Sequence, residues 1–160
     1  MTSYKDKISL CEKKLGYSFK DDLLCLEALQ TSGNPLSWND RTVNKNDRLA
    51  ILGETLLKSY LCNKWFEAGR TKGEWSAAEQ AVVKNTNLAR VGFEKGLEAC
   101  IILNPGTDKA SDKTMSTTLE ALIGAAYRDS GNDGLAKVVE VLGLDHEFLH
   151  SVASPSPSHS

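Results

Sequence analysis

Two segments carry most of the information in this chain: Asn46-Asp47-Arg48-Leu49-Ala50-Ile51-Leu52-Gly53-Glu54 and Thr117-Thr118-Leu119-Glu120-Ala121-Leu122-Ile123-Gly124-Ala125-Ala126-Tyr127. Each sets short polar or acidic residues among apolar ones at intervals of three and four, the spacing that gathers side chains on one face of a helix. Ala50 and Glu54 therefore share a face, with Asp47 a turn earlier, and Thr117 and Glu120 share another. If the two helices lie side by side, positions 50, 54, 117 and 120 converge.

Around these segments the apolar periodicity is helical almost throughout. Ile8, Leu10, Cys11 and Leu15 predict a first helix stopped at Gly16. Ser18 with Asp21 reads as a capping-box start for a second helix through Leu29. Residues 31–45 read as a loop, with Trp38 tucked against the body. The longest helix runs from Asn46 to about Glu67 and is closed by Gly69. Helices around Glu74–Val83 and Thr86–Lys95 follow, the latter capped by Asn85 and stopped by Gly96. After a polar loop over 103–113 come helices at about Met115–Arg128 and Leu135–Leu142, then a turn through His150. No strand is expected, so the fold class is all-α. Residues 1–150 form one domain and 151–160 a disordered Ser/Pro tail.

The 160 residues are 41% hydrophobic and 25% charged, a globular balance. No apolar run is long enough for a membrane span, and the amino terminus shows no signal core. Cys11, Cys25, Cys62 and Cys100 have no paired spacing and apolar neighbours, so they read as buried free thiols in a reducing, intracellular compartment, cytoplasm or nucleus. The net charge of −2 is not that of a protein held on nucleic acid by a general basic excess. Any RNA contact falls to a local patch, a dimer groove or metal ions.

The two signature segments resemble those of the ribonuclease III endonuclease domain, approximately Asn-Glu-Arg-Leu-Glu-Phe-Leu-Gly-Asp and Asp-x-x-Glu-Ala-x-x-Gly-Ala-x-Tyr. Gly16-Tyr17-Ser18-Phe19 is similar to that family's early Gly-Tyr-x-Phe turn. Lys84-Asn85-Thr86-Asn87-Leu88-Ala89, with Gly92, is similar to its middle helix, so the resemblance runs over about residues 5–145. It extends to short, stand-alone fungal members in which Ala often stands at position 50, and no double-stranded-RNA-binding domain is expected after residue 145. The resemblance implies an all-α ribonuclease III fold and Mg²⁺-dependent hydrolysis of double-stranded RNA, with Mn²⁺ able to replace Mg²⁺. It places the metal carboxylates on positions 50, 54, 117 and 120, with Asp47 as a further acidic residue at the start of the first segment.

Two of those positions are not acidic. Ala50 has no ligand atom and Thr117 offers a neutral hydroxyl, while Glu54 stands where the family has Asp. Metal binding thus falls to Glu54 and Glu120, and catalysis to these two with Asp47. Mg²⁺ retains several waters, so two carboxylates can hold one ion loosely. Activity should be weak or altered; the alternative is a catalytically silent, dimeric RNA-binding or scaffold protein. The bland readings are an ion pair of Glu54 with Arg48 or a lysine, and a helix-dipole role for Asp47.

By the same resemblance Ile51 falls on a bulky apolar residue that inserts into a dimer partner, which implies a homodimer. An ordinary core isoleucine is the other reading. Arg48, Lys84, Arg90 and Lys113 are candidate RNA contacts. His146-Glu147-Phe148-Leu149-His150 formally fits His-Glu-x-x-His, but no third zinc ligand is marked, and a surface segment with two histidines is the better reading.

Overall fold

The structure, a computed structural model, describes residues 3–152. The tail over 151–160 therefore lies outside the described residues except for its first two.

The fold is organised around α6 (Asp112–Val141) and the helix laid across it, α3 (Asp47–Ala68). Ser111 caps α6 by accepting a hydrogen bond from the backbone N–H of Thr114 at 3.1 Å. Met115, Leu119, Leu122, Ile123, Ala125 and Ala126 are fully buried, which makes the first half of α6 the apolar spine of the domain. At Gly131, with φ 65° and ψ −146°, the helix is broken, so its two halves match the two helices expected there. α3 ends as expected at Gly69, whose φ of 70° is the left-handed conformation glycine adopts without strain.

α3 and α6 approach backbone to backbone because glycine stands at both contact points. A Cβ on Gly53 would overlap the carbonyl oxygen of Glu120, and one on Gly124 would overlap that of Leu49. Around this pair pack α1 (Tyr4–Leu15), α2 (Asp22–Leu29), α4 (Lys72–Val83) and α5 (Asn85–Glu94). α6 makes its broadest contact with α3, then with α5 and α2. Buried residues from Ile8 to Leu149 join in one apolar cluster.

Four local expectations need correction. Residues 31–45 are not simply a loop: β1 (Leu36–Trp38) and β2 (Arg41–Val43) form a short antiparallel hairpin, Leu36 opposite Val43 and Trp38 opposite Arg41. Asn39 and Asp40 both have positive φ, 51° and 61°, as a two-residue hairpin turn requires. Trp38 does pack against the core. The cap of α2 is Asp21, which accepts from the N–H of Leu23 at 3.0 Å, and not Ser18. α5 begins at Asn85 itself, with Lys84 before it. Of the cysteines, Cys11, Cys25 and Cys100 are buried free thiols, whereas Cys62 is only partly covered. No helix among the described residues is long and apolar enough to cross a membrane.

Candidate functional site

The glycine crossing sets two carboxylates against each other. Glu54 follows Gly53 on α3, and Glu120 supplies the carbonyl on which Gly53 rests. The side chain of Glu54 is half-exposed, and Glu120 is half-buried. Burial, and then the negative charge of Glu54, push the Glu120 carboxyl up to about 7, while Lys58 acts in the opposite direction. Lys58, one turn beyond Glu54, donates to Glu54 Oε1 at 3.1 Å. That hydrogen bond is the main reason the ammonium holds its proton more tightly than an ordinary lysine, with Glu79 of α4 and Glu120 adding to it. The expected lysine partner of Glu54 is thus Lys58, at a spacing worth about 0.3–0.5 kcal/mol on an exposed helix.

The remaining residues of the two segments are dispersed around this pair. Ala50 is buried, at 7% exposure, and presents only a methyl group. Thr117, a turn before Glu120, is half-buried and lines a hollow of about 190 Å³ with Thr31, Lys45, Asn46, Lys113 and Thr114. Asp47 is exposed in the first turn of α3, and its charge is felt by Glu27 of α2. Burial raises the Glu27 carboxyl, Arg48 opposes that and Asp47 adds to it. The structure therefore brings Glu54 and Glu120 together and leaves Asp47 two turns before Glu54 at the head of α3, where its position also suits the helix dipole.

Ile51 is 68% exposed, so it is not a core residue. Arg48 lines a neighbouring hollow of about 440 Å³ with Leu24, Glu27, Leu49, Leu52 and Arg128. Lys84 lies on an open groove with Glu79 and Gln80. Arg90 is engaged by Glu94 at 2.8 Å and by Asn87 at 2.8 Å, and faces a separate hollow beside Leu142. Among the candidate RNA contacts, Lys113 alone shares a hollow with Thr117. His146 and His150 do not share a helical face. His146 is extended and caps a turn of 3₁₀ helix over Glu147–Leu149, and His150 Nε2 pairs with Asp145 at 2.7 Å. That geometry belongs to a closed surface turn.

Three residues that matter here were not singled out in the sequence. Asn46 is 1% exposed and donates from Nδ2 to the carbonyl of Ala28 at 2.9 Å, fixing the start of α3. Lys58 is signalled by its spacing from Glu54. Nothing in the sequence links Glu79, on another helix, to that lysine.

Among the described residues no group of three His, Cys, Asp or Glu side chains is gathered to hold a metal. A two-metal arrangement does not fit this donor set. One hydrated divalent ion does, because Glu54 and Glu120 repel each other and a cation relieves that repulsion.

The family model described as the ribonuclease III domain matches residues 47–131, which include α3 and α6 as far as its break at Gly131. Ribonuclease 3 of Syntrophotalea carbinolica is 30% identical over 144 residues, spanning 86% of this chain and 62% of the relative. Ribonuclease 3 of Proteus mirabilis is 28% identical over 138 residues, 82% of this chain and 58% of the relative. The chain thus spans about six-tenths of the length of these curated relatives. A solved nuclease domain of ribonuclease III from Campylobacter jejuni, described for flexibility in its dimer-forming region, superposes with a TM-score of 0.69 at 24% identity, covering 84% of this chain and 95% of the other. A second structure of that domain gives a TM-score of 0.64 at 23% identity, with coverages of 84% and 92%. The crossing, the order of helices and the matched segment together define an endonuclease-domain fold. The chain belongs to the ribonuclease III family.

Proposed function

We propose that this chain is a ribonuclease III-type domain that acts on double-stranded RNA as a homodimer, and that it hydrolyses phosphodiesters slowly through a reduced, single-ion site. The observation that carries this reading is the pair Glu54 and Glu120 facing each other across the Gly53–Gly124 crossing. These two carboxylates would hold the ion, and when bound Mg²⁺ or Mn²⁺ supplies an acidified water and positive charge beside the phosphate. For that, Glu120 must be deprotonated, which Lys58 favours and Glu54 opposes. Lys113, beside Thr117, is the best-placed cation for an RNA phosphate, and Arg48 and Lys84 are candidates on neighbouring surfaces. The exposed Ile51 supports pairing of two copies through α3. The names and folds of the relatives support the substrate class.

A second reading, a silent dimer that binds duplex RNA without cutting it, is favoured by the missing carboxylates at Ala50 and Thr117. Long duplex RNA incubated with Mg²⁺, and then with Mn²⁺, separates the two. Metal-dependent fragments that vanish in Glu120→Gln establish the enzyme. Intact RNA, with duplex binding retained, establishes the silent dimer.

A further inference from the structure

The acidic pair at the crossing already has a cation, and it is part of the chain. Lys58 lies on the same face of α3 as Glu54, with Nζ 3.1 Å from Glu54 Oε1. Glu120, whose backbone carbonyl abuts Gly53 beside Glu54, and Glu79 of α4 add negative charge to the surroundings of Lys58.

We infer that Lys58 is a tethered counter-ion that competes with the divalent metal for Glu54 and Glu120, setting the site to a low metal affinity. A metal seated by Glu54 binds a carboxylate whose Oε1 is already bonded to Lys58, and sits beside a like charge. Removing that charge both frees the oxygen and lifts the repulsion. In water, a unit charge next to a dication changes binding by about tenfold before salt screening. The inference rests on the single-ion reading above and extends it to the residue that regulates the site.

The test is a Mn²⁺ titration of the whole chain without RNA, followed by calorimetry or by loss of the free-ion electron paramagnetic resonance signal. Lys58→Gln is expected to bind Mn²⁺ about fivefold to tenfold more tightly than wild type. Lys58→Arg, which keeps the cation, should stay within twofold of wild type. Lys64→Gln, a charge removed farther along α3, should do the same, and adding Glu54→Gln to Lys58→Gln should abolish the gain. Equal affinities for Lys58→Gln, Lys64→Gln and wild type would reduce Lys58 to a surface ion pair and overturn the inference. Failure of all variants to bind Mn²⁺ would overturn it too. If Lys58→Gln tightens Mn²⁺ binding while neither protein cuts duplex RNA, the counter-ion stands and the cleavage reading falls.

Discussion

Gly53 rests on the backbone carbonyl of Glu120 with no room for a methyl group between them. Because both partners at the contact are backbone, neither can swing aside as a side chain would. Gly53→Ala should therefore cost about 3 kcal/mol or more, lowering the urea midpoint of unfolding. Gly73→Ala is the control. No neighbour lies within reach of a Cβ there, and helix propensity should stabilise that variant by about 0.5 kcal/mol.

Stability should fall as pH rises from about 5 to 7. Glu120 has its folded-state carboxyl raised from 4.5 to about 7, so the folded chain holds that proton more tightly than the unfolded chain. The contribution is fully present below about 4.5, is lost as pH rises through about 7, and does not change above that. Glu120→Gln should remove this slope and be more stable than wild type at pH 8 by about 1 kcal/mol, allowing for the solvent access of the group. Thermal melts of both proteins between pH 5 and 8 provide the measurement. A wild-type curve no steeper than that of the variant would contradict the coupling.

Replacing the exposed Ile51 by Asp should shift the protein from dimer to monomer. The change should raise the dimer dissociation constant by at least about tenfold, because burying a carboxylate in an apolar contact is costly. Sedimentation at several concentrations reads this directly. The folded monomer should be retained, since Ile51 is 68% exposed and contributes little to the core.

Restoring the carboxylates should raise activity. Ala50→Glu with Thr117→Asp places four acidic groups at positions 50, 54, 117 and 120, and Mg²⁺-dependent cleavage of long duplex RNA should increase by about a hundredfold or more, the size of effect expected when metal ligands are supplied. Equal rates for the double variant and wild type would place the limit elsewhere than the ligand set.

The long elements were legible because their periodicity is strong and their ends are marked: Gly16, Gly69 and Gly96 each take the left-handed conformation where a helix stops. The hairpin was not, since three-residue strands are too short to show alternation. Its one signal was Asn39-Asp40, a pair that tolerates positive φ. The site was half legible. The Glu54 ion pair was expected with Arg48 or a lysine and falls on Lys58, four residues on, and the family pattern named Glu120. The approach of Glu79 depends on how the helices pack. Periodicity along one helix carries no information about that.

The segments leading into the two carboxylate helices are moored to the same short stretch of chain. The backbone N–H of Asn46, at the head of α3, donates to the carbonyl of Gln30 at 2.9 Å, while Ile102, upstream of α6, donates to Leu29 and accepts from Thr31 at 2.9 and 3.0 Å. A hinge between α3 and α6 would have to break the glycine contact, and movement of the head of α3 would break the Asn46 tie as well. The frame that carries Glu54 and Glu120 therefore behaves as a rigid jaw with no joint. Adjustment to an ion or an RNA strand falls to side-chain rotation, and the long, flexible arms of Glu54 and Lys58 are the parts free to make it.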